Sequence, residues 1–376
     1  MRIPHIRVTV GFAEIFGPKS ANWERNLTPL SRTRNKRKLK GLAVKYLVTG
    51  GAGFIGSHLC DALTSQGDDV VILDDLSTGR LENIVHLLRS RRVELVEGSV
   101  LDEDLVLELL DSVDACVHLA SVVGVSLVVG RPVDTLLNNV RGADIVLSSA
   151  AGLGKRTLFA STSEVYGKSD GQALQEDSDR VWGPTTKFRW NYSTSKAFGE
   201  ALALGYHREI GAENVVVRFF NTVGPRQTGM YGMVLPRFVR QAVAGEDLTV
   251  YGDGTQSRCF AHVFDSVDAV LRLLDSDAAL GQVVNIGRDT DITIFGLAER
   301  VIERAGSDSR ITFVPYEEAY DEGFEELGRR KPNTSRLREL TGWRPLRDID
   351  DMIDDVILYE RAGVVPAVLD AGVRVA

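Results

Sequence analysis

The most constraining feature of the chain is a short apolar run, Val44 to Thr49, that passes directly into Gly50-Gly51-Ala52-Gly53-Phe54-Ile55-Gly56 and then into a helical pattern. Glycines at 50, 53 and 56 permit a tight turn, a close approach of backbone to a bound group, and close packing of helix on strand. The helix start adds N–H groups and the positive end of its dipole. A second apolar run ends in Val71-Ile72-Leu73-Asp74-Asp75, about 20 residues further on, where a carboxylate can accept hydrogen bonds from adenosine ribose hydroxyls. A glycine motif alone is weak, but strand, glycines, helix, strand and acid in this order imply a dinucleotide site. Asp74 would repel a ribose 2′-phosphate, so NAD is expected rather than NADP, with Arg80 the one nearby group that argues otherwise.

The same rhythm continues down the chain. Val93 to Glu97, Ala115 to Leu119, Thr157 to Ser161 and Val215 to Phe219 read, like the first two runs, as strands buried along their length. Residues 54–66, 131–151 and 192–211 have the length and apolar spacing of helices packed on that sheet. The fold class expected is α/β: a Rossmann-type doubly wound parallel sheet with a smaller C-terminal α/β substrate-binding lobe. Residues 44–220 are assigned to the dinucleotide-binding domain and 221–376 mainly to the lobe, with room for strands returning to the core sheet. Glycine- and proline-containing segments after Asn221 mark the change.

Composition narrows the function classes. The formal charge of −8 conceals an asymmetry, since residues 1–43 carry ten Lys/Arg against two Asp/Glu and the remainder 34 against 50. An acidic body repels nucleic acid, and only the basic extension could attract it, so no nucleic-acid function is expected. That extension reads as mobile and is assigned no chemistry. It lacks the apolar core of a secretory signal, and no stretch approaches the roughly 20 apolar residues of a membrane span. Cys60, Cys116 and Cys259 lie far apart without a C-x-x-C pair, so neither a disulfide framework nor a metal site is expected, and the setting reads as cytoplasmic.

Candidate chemistry sits at two places. Tyr192 and Lys196 stand at i and i+4 on one helix face. A tyrosine titrates near pH 10, and an adjacent ammonium should lower that value enough for a proton shuttle. Lys196 could also hold nicotinamide-ribose hydroxyls. Such a pair is common by chance on helices. The strand at 157–161 adds weight by delivering Thr162-Ser163-Glu164 at its carboxyl end, where open α/β sheets bind ligands.

Together with His118-Leu119-Ala120, Asn139 with Gly142, Ser161 through Gly167, and Asn221-Thr222-Val223-Gly224-Pro225-Arg226, these motifs make the chain resemble an extended short-chain dehydrogenase/reductase over residues 44 to 360. The resemblance is to the NAD-dependent nucleotide-sugar epimerase, dehydratase and decarboxylase branch, closest in motifs to UDP-glucuronate decarboxylase. It implies that Thr162, Tyr192 and Lys196 oxidise C4 of a UDP-sugar with NAD retained. It also implies that Leu119, Ala120 and Asn139 join Gly50, Gly53, Phe54, Ile55, Gly56, Asp74 and Asp75 around the cofactor. Ser163, Asn221, Arg226, Tyr251, Arg258 and Arg330 would meet the nucleotide sugar, and a homodimer would form through helices 131–151 and 192–211.

Three fates are open to a C4 ketone. A 4,6-dehydratase has an Asp where this chain has Ser163, too weak an acid to protonate a departing hydroxyl. Thr162-Ser163-Glu164 and the arginine of Gln256-Ser257-Arg258-Cys259-Phe260 instead resemble the decarboxylases, in which the ketone makes a C6 carboxylate a β-keto acid. There Arg258 would hold the carboxylate or supply a proton, and Glu164 would crowd it or order a proton donor. A UDP-sugar 4-epimerase is the runner-up, and a catalytically silent NAD-binding regulator the alternative of a different class.

Overall fold

The computed structural model describes residues 41–169, 171–229, 233–319 and 329–362, so the basic extension, up to residue 40, lies outside the described residues. Seven parallel strands form one sheet: β1 (Lys45–Thr49), β2 (Asp69–Asp74), β3 (Val93–Glu97), β4 (Ala115–His118), β5 (Arg156–Thr162), β6 (Asn214–Phe219) and β7 (Val283–Ile286). Their order is β7-β6-β5-β4-β1-β2-β3. It reverses between β1 and β4, so the loops leaving those two strands diverge and open a crevice at the carboxyl edge.

Side chains along each strand alternate between two covered faces. On one face Tyr46, Val48, Ile72, Val117 and Val217 pack under α1 (Phe54–Ser65) and α6 (Val263–Asp275). On the other, Leu47, Val71 and Cys116 pack under α2 (Glu103–Asp111) and α3 (Pro132–Gly152). Phe159 and Val216 share a core there with Ala143 and Leu147 of α3 and Ala203 of α4 (Trp190–Ile210). Burial on both faces is why β5 is closed to solvent at all seven positions, with apolar Leu158, Phe159 and Ala160 at its centre and Arg156, Thr157, Ser161 and Thr162 buried around them. β3 departs from that expectation: it is the edge strand, and Glu94 and Glu97 are exposed while Val93 is buried. Sequence also passed over α2, whose start is capped by Asp102 accepting from the Leu105 N–H at 3.1 Å.

The lobe has its own core, where α5 (Val234–Ala244), α7 (Ile294–Ala305) and α8 (Ile349–Ala362) meet around Leu235, Phe238, Leu297, Val301 and Ile353. The short parallel pair Leu248–Tyr251 and Ile311–Val314 lies beside them. Between these pieces the chain returns to the main sheet, where β7 pairs with β6 from Val283 opposite Val216 to Ile286 opposite Phe219. Among the described residues no helix is long and apolar enough to cross a membrane.

Candidate active site

A cleft of about 550 Å³ runs over the carboxyl ends of the strands and into the lobe. Every site residue expected from sequence lines it except Arg226. That arginine is turned away: its Nη1 donates to Asp61 Oδ2 of α1 at 2.7 Å, from a residue in the left-handed region at φ 66°. Arg226 was expected at the substrate because the family resemblance implies it and because a diphosphate needs guanidinium partners in an otherwise acidic lobe. The fold spends it on tying the 221–229 loop to α1.

At the cofactor end, β1 exits through Gly50, whose φ of +71° no side chain adopts comfortably and whose added Cβ would lie 2.8 Å from the Ala120 nitrogen. Gly56 lies so close to the turn that a Cβ would stand 2.2 Å from the Gly50 carbonyl oxygen. The glycines thus bring the start of α1 up to the crevice. Asp74, at the end of β2, accepts from the Ala52 and Leu76 N–H groups at 2.9 Å each. Burial raises its pKa while those two bonds oppose the rise. This end of the lining holds Asp74 and Asp75 but not Arg80: carboxylates that can accept from free ribose hydroxyls and disfavour a 2′-phosphate, beside the N–H groups at the start of α1 that suit the diphosphate of NAD. Asn139 works one step back: its Oδ1 accepts from Val122 N at 2.8 Å and Ser121 Oγ at 3.0 Å, fixing the loop after β4.

The reaction centre is built where β5 meets α4. Thr162 Oγ1 accepts from the Glu164 N–H at 3.2 Å, turning the chain into a single 3-10 turn. Ser193 of α4 donates to the Glu164 carbonyl at 2.9 Å and pins that turn to the helix. One turn on, Lys196 Nζ donates to the Ala160 carbonyl at 2.9 Å. Tyr192 is pushed up from the ordinary tyrosine value by burial and then by the Glu164 charge, with hydrogen bonds to Thr162 and Ser121 pulling the other way. Burial lowers Lys196 to about 7, with Glu200 partly restoring it. The lowering of the phenol expected from its lysine does not set its state: Lys196 is buried and Tyr192 is packed part-buried at the cleft, and this environment disfavours the charged form of each.

Beside the phenol stands a charge cluster that sequence anticipated in part. Arg330 Nη1 donates to Glu164 Oε1 at 3.2 Å and to Ser163 Oγ at 3.3 Å. Arg189 Nη2 donates to both Glu164 oxygens, at 3.3 and 3.4 Å. Burial alone would raise the Glu164 carboxyl, but Arg189, Arg330 and, more weakly, Arg258 hold it below the usual value, so it is a carboxylate at neutral pH. Arg258 and Arg330 are brought together by a parallel backbone bridge between them. Asn221 Nδ2 donates to the Cys259 carbonyl at 3.0 Å, and Tyr251 carries the Arg237 guanidinium 4.0 Å above its ring.

Sequence reasoning missed Arg189, Ser121, Arg237 and Tyr316, all of which line the cleft. For Arg189 a signal existed, since 189, 192 and 196 fall on one helix face at i, i+3 and i+7. For Tyr316, which stacks against Gly252 from a distant stretch of chain, none did.

A glycine turn feeding a helix, an acid at the next strand end and a Tyr/Lys pair over the same crevice define a dinucleotide-dependent enzyme of the doubly wound class. Comparison with known proteins narrows this: the chain belongs to the NAD dependent epimerase/dehydratase family, whose model matches residues 46–287. It is 39% identical over 300 residues to the UDP-N-acetyl-alpha-D-glucosaminuronate decarboxylase of Bacillus cytotoxicus, covering 80% of this chain and 92% of that one. It is 35% identical over 319 residues to UDP-glucuronic acid decarboxylase 1 of Xenopus tropicalis, covering 84% and 72%. Among solved structures it is similar to the UDP-glucuronic acid 4-epimerase of Bacillus cereus in complex with UDP-glucuronic acid and NAD, with a TM-score of 0.76 and 27% identity over 84% of this chain and 99% of that one.

Proposed function

We propose that this chain is an NAD-dependent UDP-uronic acid decarboxylase, acting on UDP-glucuronate or its 2-acetamido counterpart and giving UDP-xylose, its acetamido analogue or the 4-keto pentose. The observation that carries the reading is the Glu164 carboxylate held between Arg189 and Arg330, in the field of Arg258, beside the Tyr192 phenol. Among the described residues, the charged groups set around this carboxylate are three guanidiniums, so cationic charge faces the sugar. A neutral hexose has no use for that charge, whereas the C6 carboxylate of a uronate does.

NAD bound along the Gly50–Asp74 end supplies the acceptor for the C4 hydride and its later donor. Tyr192, with Thr162, takes the C4 hydroxyl proton, and Lys196 holds the ribose side. With C4 oxidised, the C5–C6 bond breaks, carbon dioxide leaves, and its electron pair becomes the C4–C5 enolate. Arg258 holds the departing carboxylate or returns a proton to C5. Arg330, Ser163, Asn221 and Tyr251 take up the rest of the nucleotide sugar. In this reading residues 44–220 carry the cofactor and 221–376 mainly the sugar nucleotide.

The competing reading, a UDP-sugar 4-epimerase, draws on the likeness to the Bacillus cereus enzyme. Release of carbon dioxide separates the two. Purified protein given NAD and carboxyl-labelled UDP-glucuronate releases label, and Glu164→Gln loses about a hundredfold of that rate while still reducing NAD. Interconversion of uronates without release of label, or a Glu164→Gln variant that decarboxylates like the parent, overturns the proposal.

Two further proposals accompany it. A homodimer through α3 and α4 suits the exposed Val133, Leu137 and Phe198 on those helices. A cytoplasmic location suits three free, buried cysteines.

A further inference from the structure

We propose that Arg189 is a positioning residue, one that neutralises the Glu164 carboxylate where it stands and so lets Tyr192, three residues further along the same helix, give up its proton. The inference rests on the reading of Tyr192 as the proton shuttle but not on decarboxylation.

The placement of Arg189 is costly. It sits at the N-terminal cap of α4, where the helix dipole is positive and a cation is unfavourable. It makes no capping hydrogen bond there and is nearly closed to solvent. A buried cation needs a paired anion, and among the described residues Arg189 reaches Glu164 at both carboxylate oxygens. Arg330 reaches only Oε1 of that carboxylate and divides itself with Ser163. Arg258 acts on it at longer range, with Nη1 donating to the Ser257 carbonyl. Of the three arginines, Arg189 is thus the one that belongs to the helix of Tyr192.

Among the described residues, the groups facing Glu164 are Arg189 and Tyr192 from α4, Arg330 from the segment at 329–332, and Arg258 from the strand at 257–259. Those facing Tyr192 are Glu164, Thr162 and Ser121, with Lys196 one turn along. Among the described residues Glu164 is the only anion of these, and its charge opposes phenolate formation. Removing Arg189 strips that carboxylate of its largest Coulombic partner, so the phenol should need a higher pH to ionise.

The test uses full-length protein with NAD and whichever UDP-sugar the parent oxidises, following reduced nicotinamide in a single turnover across pH. Arg189→Gln should move the midpoint of C4 oxidation up by about one pH unit, with a rate about tenfold lower below the midpoint and recovered above it. Arg189→Lys, which keeps the charge, should leave the midpoint in place. In a Glu164→Gln background, Arg189→Gln should no longer move it. Independently of turnover, the carbon-13 carboxyl resonance of Glu164, assigned by its loss in Glu164→Gln, should titrate at higher pH in Arg189→Gln.

A rate lowered by the same factor at every pH, or an equal midpoint shift without Glu164, overturns the proposal. Should Arg189→Gln fail to fold, Arg189→Lys decides, because a midpoint displaced by a full unit despite the retained charge also overturns it. Failure of the decarboxylase reading shows separately, as a parent enzyme that reduces NAD yet releases no carbon dioxide.

Discussion

Gly199 lies in the middle of α4 and faces Phe159 of β5, the strand that ends in Thr162. A Cβ placed there would stand 2.2 Å from Phe159 Cζ and 2.8 and 2.9 Å from its two Cε atoms, where carbon atoms ordinarily settle at about 3.5–4.0 Å. Something must yield by more than about 1 Å. Phe159 cannot swing out, being 1% exposed and packed against His118 and beneath the Lys196 ammonium. The helix therefore retreats, carrying Tyr192 and Lys196 with it.

Overpacking of this kind costs about 1–3 kcal/mol, and replacing a helical glycine by alanine returns about 1 kcal/mol. Gly199→Ala should accordingly lose only about 0–2 kcal/mol of stability, whereas a displacement of about 1 Å at the reacting groups should cost roughly a hundredfold in turnover. Gly205 on the same helix is the control, because an added Cβ there meets nothing within 4 Å. Gly205→Ala should gain up to about 1 kcal/mol and leave turnover unchanged. Urea unfolding and turnover of UDP-glucuronate measure the two sides. If Gly199→Ala turns over within about threefold of the parent while folded, the sheet contact does not position the pair, and the reasoning fails.

Gly56→Ala should weaken NAD binding at least tenfold (about 1.4 kcal/mol) by calorimetry, since its Cβ meets backbone that cannot move aside, and near-parental affinity refutes this. Asp74→Ser should shift the NADP/NAD preference by about tenfold toward NADP in binding titrations, and an unchanged ratio means the carboxylate is not what excludes the 2′-phosphate. Lys196, ordinarily 10.5 and lowered to about 7 by burial, is deprotonated in the fold over a range where the unfolded chain still binds that proton. Stability of cofactor-free protein should therefore rise from pH 7 to about 8.5, by up to ~1.4 kcal/mol per unit. Above that, the buried thiols of Cys60, Cys116 and Cys259, all raised, pull the other way. Urea midpoints that climb equally in Lys196→Met contradict the assignment. Val133→Asp with Phe198→Asp should yield monomers in sedimentation, and an undisturbed dimer moves the interface elsewhere.

How much of this was legible in sequence follows from where each signal comes from. β1, α1 and β2 lie next to one another in the chain, so the glycine turn, helix start and Asp74 could be read directly, and β5 was visible because both its faces are buried. β3 was located but not its partial exposure, because an edge strand needs apolar side chains on fewer positions, and β7 was foreseen only as a strand returning to the sheet, without a position, because four residues following a lobe carry no periodicity of their own. In the site, Tyr192, Lys196 and Thr162 stood in recognisable local patterns. The environment that fixes their proton affinities, with Glu164 gripped by arginines from positions 189 and 330, joins parts of the chain that only tertiary structure brings together. Arg226 shows the converse: resemblance and charge suggested a ligand, and a long-range partner, Asp61, claimed it.

The return of the chain from the lobe to the sheet at β7 bears on how the enzyme can move. Because the backbone leaves the sheet after Phe219 and re-enters it at Val283, with α6 packed on the sheet in between, the two halves of the cleft are stitched together by several passes of one polypeptide. A protease nick between β6 and α5 should therefore leave both fragments bound to each other, and any closing over substrate must come from bending of loops rather than from the swing of a lid on a single thread.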